Sequence, residues 1–253
     1  MKRLIDSYLS ACGLMLTSPL LLMLSVMVWW EDRASPFYRG ERLGRAGKPF
    51  RMVKFRSMRP DAWRSGVNST AAGDSRITRL GGWLRSAKLD ELPQLWNVLT
   101  GEMSFVGPRP QVLADASLYT AKERRMLEVR PGITDLASIV FADEAEILAG
   151  AKDPDLLYNQ IIRPWKSRLA LLYVDRQMSC GWKANLAMDA QILWLTLTAL
   201  RSRPVALEGV AGMIEKWGAD PLLSDIVRRK RQPPAYPPPG ADAIVSRYKV
   251  TNV

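Results

Sequence analysis

From Ser7 to Trp30 the chain runs for 24 residues without a charge. A straight helix of that length extends about 36 Å at ~1.5 Å per residue, against about 30 Å for the hydrocarbon core of a bilayer. Such a segment has to be covered by the rest of the fold or given to lipid. Two details complicate a simple span. Ser18-Pro19 lies at its midpoint; proline lacks the amide that a helix interior needs, which predicts a break or kink there, with the Ser18 hydroxyl placed to bond a freed carbonyl. Both flanks are also basic, Lys2 and Arg3 on one side and Arg33, Arg39, Arg42 and Arg45 on the other. The positive-inside rule assigns both ends to the cytoplasm, which a spanning helix cannot satisfy. On the residues alone, a re-entrant hairpin turning at Ser18-Pro19 and a kinked span both stay open, and Trp29-Trp30 suits a membrane interface in either. No small-residue cleavage site follows the run, so a removed signal peptide is not expected.

The 253 residues carry 36 Lys+Arg against 25 Asp+Glu, a formal charge of +11. That balance points to a polyanionic partner: nucleic acid, an anionic membrane face or a phosphorylated substrate. Eight of the cations fall between Arg39 and Arg59, and another four form Arg228-Arg229-Lys230-Arg231; a solvated basic face is the plain alternative. There is no histidine, which excludes Ser-His-Asp and Cys-His nucleophile pairs, His-ligated zinc and imidazole acid–base chemistry. Catalysis, if present, uses carboxylates, cations, hydroxyls or a bound metal. Cys12 and Cys180 are too few and too far apart for a disulfide framework, as in a reducing compartment.

Beyond the apolar run, Phe37 to Met58 reads as a β-hairpin turning at Gly44, Gly47 and Pro49. Alternation puts Lys54 and Arg56 on one strand face, a plausible phosphate clamp or simply a solvated face. Residues 61–74 read as a loop, and 78–88 as a short basic helix carrying Arg79, Arg85 and Lys88. In 88–101, Leu92, Leu95, Trp96 and Leu99 recur at helical spacing and Gly101 stops the helix. Pro93 is tolerated only in a first turn, which places Asp90 near the N-cap and Glu91 just inside. A helix N-terminus attracts phosphate, yet Asp90 could be nothing more than a cap. Arg109 sits between Pro108 and Pro110, which stiffen its backbone. Helices are predicted over 114–129, within 151–173, and over 183–201 as an interfacial or packed core helix. Residues 232–240 form a polyproline-like linker in a tail expected to be partly ordered at best, its arginines touching lipid headgroups. P-loop, GxGxxG and Cys-x-x-Cys motifs are absent. Asn68-Ser69-Thr70 matches a glycosylation sequon, read as accidental.

The order of these pieces, an apolar segment with Ser18-Pro19, KFRSM (54–58), LDELPQLWNVLTGEMSFVGPRP (89–110) and RPGIT (130–134), resembles the monotopic bacterial phosphoglycosyl transferases, also called bacterial sugar transferases. The resemblance runs from about residue 1 to residue 200. It implies transfer of a sugar 1-phosphate from a UDP-sugar to undecaprenyl or another polyprenyl phosphate, with release of UMP, as the first membrane step of a bacterial glycan pathway. By the family's pattern Asp90 is the nucleophile that takes the phosphosugar, and Glu91 helps hold Mg2+. Lys54, Arg85 and Arg109 match phosphate-binding positions, with Arg56 a weaker addition. Ser18-Pro19 matches the family's re-entrant break, which favours the hairpin.

The fold expected is therefore α+β: a re-entrant membrane helix-hairpin (1–33), a cytosolic catalytic domain with a small β-hairpin and amphipathic helices (34–201), and a C-terminal extension (202–253). Its partners would be the UDP-sugar donor, the polyprenyl phosphate acceptor and membrane lipid at the bacterial inner membrane, with the catalytic domain facing the cytoplasm. A homodimer is compatible with this, and no nucleic acid is expected, since the basic run has little aromatic interleaving. One departure stands out: after RPGIT the family commonly continues Gly-Trp-Ala-Gln, whereas this chain has Asp135-Leu136-Ala137-Ser138-Ile139-Val140, leaving the sugar unnamed. The competing reading is a non-catalytic, membrane-anchored basic scaffold in which Asp90 is a cap.

Overall fold

A computed structural model describes residues 1–62, 70 and 72–247. Asn68 and Ser69 of the sequon and most of the 61–74 loop lie outside the described residues. The architecture is helix-rich, with two small two-stranded sheets and one long apolar N-terminal helix.

That helix, α1 (Lys2–Asp32), is assigned as helix throughout, with Pro19 inside it, so the helical ladder carries on past Ser18-Pro19 where an interruption was expected. The reason is local. The Ser18 hydroxyl donates to the Met15 carbonyl at 2.8 Å, the acceptor left idle four residues before the missing Pro19 amide. Thr17 and Ser25 make similar bonds back to Gly13 and Leu21. Leu4, Tyr8, Met15, Leu16, Leu22 and Trp30 stay exposed, whereas Leu24 and Val28 are buried against Phe55 and Leu84. Both ends of α1 are tied to the same globular body. Arg3 donates to the Val98 and Leu99 carbonyls, Ser104 donates to Asp6 at 2.8 Å, and Lys2 pairs with Asp189. At the other end Arg56 pairs with Asp32.

The predicted hairpin is present as β1 (Phe37–Leu43) and β2 (Pro49–Phe55), antiparallel with Phe37 opposite Phe55 and Tyr38 opposite Lys54. The basic helix is α2 (Arg79–Ser86), capped by the Thr78 hydroxyl on the Gly81 amide. The segment expected to be one helix from Asp90 is instead a 3-10 turn, Leu89–Glu91, followed by α3 (Gln94–Thr100), with Pro93 at the N-cap and Gly101 left-handed at the C-cap. Next come β3 (Ser104–Val106), α4 (Leu113–Ser117), a 3-10 stretch (Glu123–Glu128) and β4 (Gly132–Thr134), the last parallel to β3. The helix predicted over 114–129 is thus broken between α4 and the 3-10 stretch. The strands were unforeseen, being only three residues long. Gly132 is required where they meet: a Cβ there would lie 2.2 Å from the Gly107 amide nitrogen.

The remainder is helical: α5 (Leu136–Val140), α6 (Glu144–Ile147), α7 (Pro154–Leu157), a π turn, α8 (Arg163–Ser179), α9 (Trp182–Arg201), α10 (Arg203–Lys216) and α11 (Pro221–Val227). The main core joins Leu136, Ile139 and Val140 to Trp165, Tyr173, Ile192, Val210, Ile214 and Ile226. Helices α10 and α11 therefore share the core of the preceding helices. The tail also differs from expectation. Trp165 donates to the Pro234 carbonyl, Arg168 to Pro237 and Gln160 to Val245, while Tyr236 packs on Trp165. Polyproline backbone leaves its carbonyls free, and α8 supplies the donors. The basic cluster is paired internally, Arg228 with Glu208 and Glu215, Arg229 with Asp143, and Lys230 and Arg231 with Asp225; these cations are engaged by protein carboxylates.

Candidate active site

Three segments converge on the Leu89–Glu91 turn. Lys88 adopts a left-handed conformation (φ 57°), an uncommon state for a residue with a Cβ, and the chain enters the turn from there. Asp90 is 7% exposed. Among the described residues its carboxylate accepts no hydrogen bond, and the N-cap of α3 is Pro93, so the capping role foreseen as an alternative is not the one it plays. Glu91 is held firmly: Lys54 of β2 donates to its Oε1 at 2.7 Å, and the Arg109 guanidinium bonds the same oxygen.

Each cation is fixed by its own scaffold. Lys54 is set by Asn97 of α3, whose side chain accepts from the Val53 amide and donates to the Arg51 carbonyl, both at 2.9 Å. Arg109 stands in the Pro108–Pro110 loop after β3, and its backbone amide donates to Asp135 Oδ2 at 3.2 Å. Asp135 Oδ1 at the same time caps α5 through the Ser138 amide at 2.6 Å. Arg85, in the last turn of α2, acts on the Asp90 carboxylate through its charge. Close approach of Gly81 to the Ser57 carbonyl, where a Cβ would sit 2.0 Å away, seats α2 against the chain leaving β2.

The two neighbouring carboxyls are driven apart. Burial raises Asp90 above the usual aspartate value, and Glu91 adds to this, against the opposing charges of Lys54, Arg85 and Arg109. For Glu91, burial is opposed and overcome by the Arg109 and Lys54 charges and hydrogen bonds, which hold it well below the ordinary glutamate range. Lys54 is lowered by burial and by Arg109, with Glu91 opposing. A desolvated carboxylate without a hydrogen bond, beside three cations, is an arrangement for attack on an anionic phosphorus centre.

Of the residues singled out from sequence, Lys54, Arg85, Asp90, Glu91 and Arg109 are brought together. Arg56 is not: it pairs with Asp32 and bonds the Val28 carbonyl at the end of α1. Ser18 and Pro19 lie on the exposed side of α1. Sequence reading missed Asn97 and Asp135, which touch the site through backbone groups, and Gln94, one turn beyond Asp90, whose Nε2 is buried without a partner. An asparagine on the buried side of a helix was the one signal available for Asn97.

A buried acidic pair is thus framed by cations on a helical scaffold, with an apolar helix docked alongside. The sequence profile of the bacterial sugar transferases matches residues 1–203, and the chain belongs to that family. It is 38% identical over 177 residues to a UDP-glucose:undecaprenyl-phosphate glucose-1-phosphate transferase of Klebsiella pneumoniae, covering 67% of this chain and 37% of the relative. The identity is 39% over 141 residues to the enzyme of that name from Caulobacter vibrioides, covering 54% and 53%. It is 31% over 191 residues to a UDP-N-acetylgalactosamine-undecaprenyl-phosphate N-acetylgalactosaminephosphotransferase of Aeromonas hydrophila, covering 73% and 45%. The match thus spans about half, or less, of the length of these relatives.

Proposed function

We propose that this chain transfers a sugar 1-phosphate from a UDP-sugar to undecaprenyl phosphate in two displacements. In the first, an Asp90 oxygen attacks the phosphorus that carries the sugar. The bond to the UMP oxygen breaks, UMP leaves with that electron pair, and the phosphosugar is left as an acyl phosphate on Asp90. In the second, a phosphate oxygen of the polyprenyl acceptor attacks the same phosphorus, the Asp90–phosphorus bond breaks, and a diphosphate-linked lipid leaves with the aspartate regenerated. Lys54, Arg85 and Arg109 bind the phosphates and offset the negative charge of both steps.

The observation that carries this reading is the division of labour in the dyad: Asp90 is unbonded and desolvated, while Glu91 is pinned by two cations. Among the described residues no cluster of three or more acids or cysteines could hold a metal by protein ligands alone. The donors still fit Mg2+, which is commonly held by one or two carboxylates together with substrate phosphates. Glu91 has one carboxylate oxygen outside the Lys54–Arg109 clamp for it. When bound, the ion would supply charge neutralisation at the diphosphate.

The membrane part of the reading rests on α1. Its exposed apolar residues suit the acyl region of one leaflet, and ends that bond the same catalytic body suit a chain that stays on the cytoplasmic face of the inner membrane. The product would enter polysaccharide assembly. UMP release from a panel of UDP-sugars with undecaprenyl phosphate and Mg2+ tests the reading. Turnover with at least one donor is expected, abolished by Asp90→Asn; turnover retained by that variant, or Mg2+-independent liposome binding with no UMP from any donor, would refute it.

A further inference from the structure

The C-terminal arginine cluster and α10 lie at or beyond the edge of the family match, yet two of their arginines reach toward the active site. Helix α5 is short and is held at both ends by ionic contacts. At its N-terminus Asp135 binds the Ser138 amide and the Arg109 amide. At its C-terminus the Val140 carbonyl accepts from Arg203 at 3.0 Å and from Arg229 at 2.6 Å. The same two guanidiniums pair with Asp143, immediately after α5. Arg229 also lies 5.1 Å from the Phe141 ring centroid and adopts a left-handed backbone (φ 59°), a costly state that persists only where surroundings impose it. Val140 and Phe141 are buried. Two cations on one terminal carbonyl offset the negative end of the helix dipole and fix where α5 ends. Because α5 packs into the core with α8, α9 and α10, its start is fixed with its end.

We infer that Arg203 and Arg229 are positioning residues for the transfer reaction: by clamping the C-terminus of α5 they set Asp135, and through Asp135 the placement of Arg109 against Glu91 and the donor phosphates. The inference rests on the transferase reading above. It assigns a purpose to part of a basic cluster that otherwise resembles a lipid-binding patch. The neighbouring Arg228 provides the contrast, since its partners Glu208 and Glu215 both belong to α10; among the described residues its side chain has no hydrogen bond or ion pair to α5.

The test uses the full-length chain in detergent or nanodiscs with the UDP-sugar that supports UMP release. Arg229→Gln and the double variant Arg203→Gln/Arg229→Gln are compared with Arg228→Gln, in the native background and with Asp135→Asn. Roughly three- to tenfold loss of kcat/KM is expected for the α5-facing variants, the size of a coupling carried through packed elements. Partial rescue is expected in Arg229→Lys, and less than twofold change for Arg228→Gln. Because the effect passes through Asp135, the further loss from Arg229→Gln should shrink below twofold once Asp135→Asn is present. Equal losses in both Asp135 backgrounds, no loss in either α5-facing variant, or an equal loss for Arg228→Gln would overturn the inference. If the unmodified chain releases no UMP from any donor, it is the transferase reading that fails.

Discussion

Asn97 is the residue that binds α3 to β2 and so delivers Lys54 to Glu91. Its side chain satisfies two backbone groups of β2 and donates to Glu102 Oε2 at 2.7 Å. Replacing it with alanine removes three hydrogen bonds. Glu102 is exposed and recovers water, so its bond counts for little. The Val53 amide and the Arg51 carbonyl lose their partners beside a buried helix, at about 1–1.5 kcal/mol each. Asn97→Ala is therefore expected to cost about 2–3 kcal/mol, which for a chain of this size lowers the melting midpoint by roughly 4–12 °C. Asn97→Asp preserves the shape and the acceptor for Val53 but sets a carboxylate oxygen against the Arg51 carbonyl and Glu102. It should be at least as destabilising as alanine at neutral pH. Denaturant titration in detergent gives the stability and UMP release gives the activity. A loss below 1 kcal/mol for both variants, or unchanged kcat/KM, would refute the idea that this side chain locks the strand bearing Lys54.

Other outcomes follow from the same geometry. Asp90 has its pKa raised in the fold, so its charged form is disfavoured there; stability from this group is greatest below its unfolded value of 3.8 and falls as pH rises through the folded one. Asp90→Asn should thus melt higher than the native chain at pH 7 while being inactive, and the gap should narrow as pH drops toward 3.8. Glu91 has the opposite sign: its depressed pKa stabilises the fold above the unfolded value of 4.5, and this is lost as pH falls from there. Lys54→Met should reduce that acid-labile component in melts recorded across the range. Gly132→Ala forces a Cβ to 2.2 Å from the Gly107 nitrogen and 2.5 Å from its carbonyl oxygen. It should displace the Arg109 loop and suppress UMP release at least tenfold, whereas Gly212→Ala, with open space around it inside α10, should be neutral or stabilise by up to about 1 kcal/mol.

The site was more legible in the sequence than the fold. Lys54 on its strand face, the Asp90-Glu91 pair before Pro93 and Arg109 between two prolines could be singled out from the residues, but their grouping as one site came from the family resemblance; the β-hairpin follows from alternation around Gly44 and Gly47. At Ser18-Pro19 the sequence showed the local bond, the Ser18 hydroxyl on the idle Met15 carbonyl, but not that the helical assignment would continue through the proline. The helix was started too early at Asp90 because Pro93 is compatible with several first-turn positions, and it is the N-cap itself. Strands β3 and β4 are too short to show periodicity; what defines them is the contact between Gly107 and Gly132, a tertiary fact. The tail reads as a solvated linker by composition, since nothing local announces that the donors for its proline carbonyls are Trp165 and Arg168.

Trapping the covalent intermediate tests the central claim most directly. The chain is incubated with a UDP-sugar that supports turnover, without polyprenyl phosphate, then quenched, digested and analysed by mass. One sugar-phosphate adduct is expected on the peptide that contains Asp90, located at that residue, labile to hydroxylamine as an acyl phosphate, and discharged by added polyprenyl phosphate. UMP release with no adduct, or an adduct on any other residue, would contradict it.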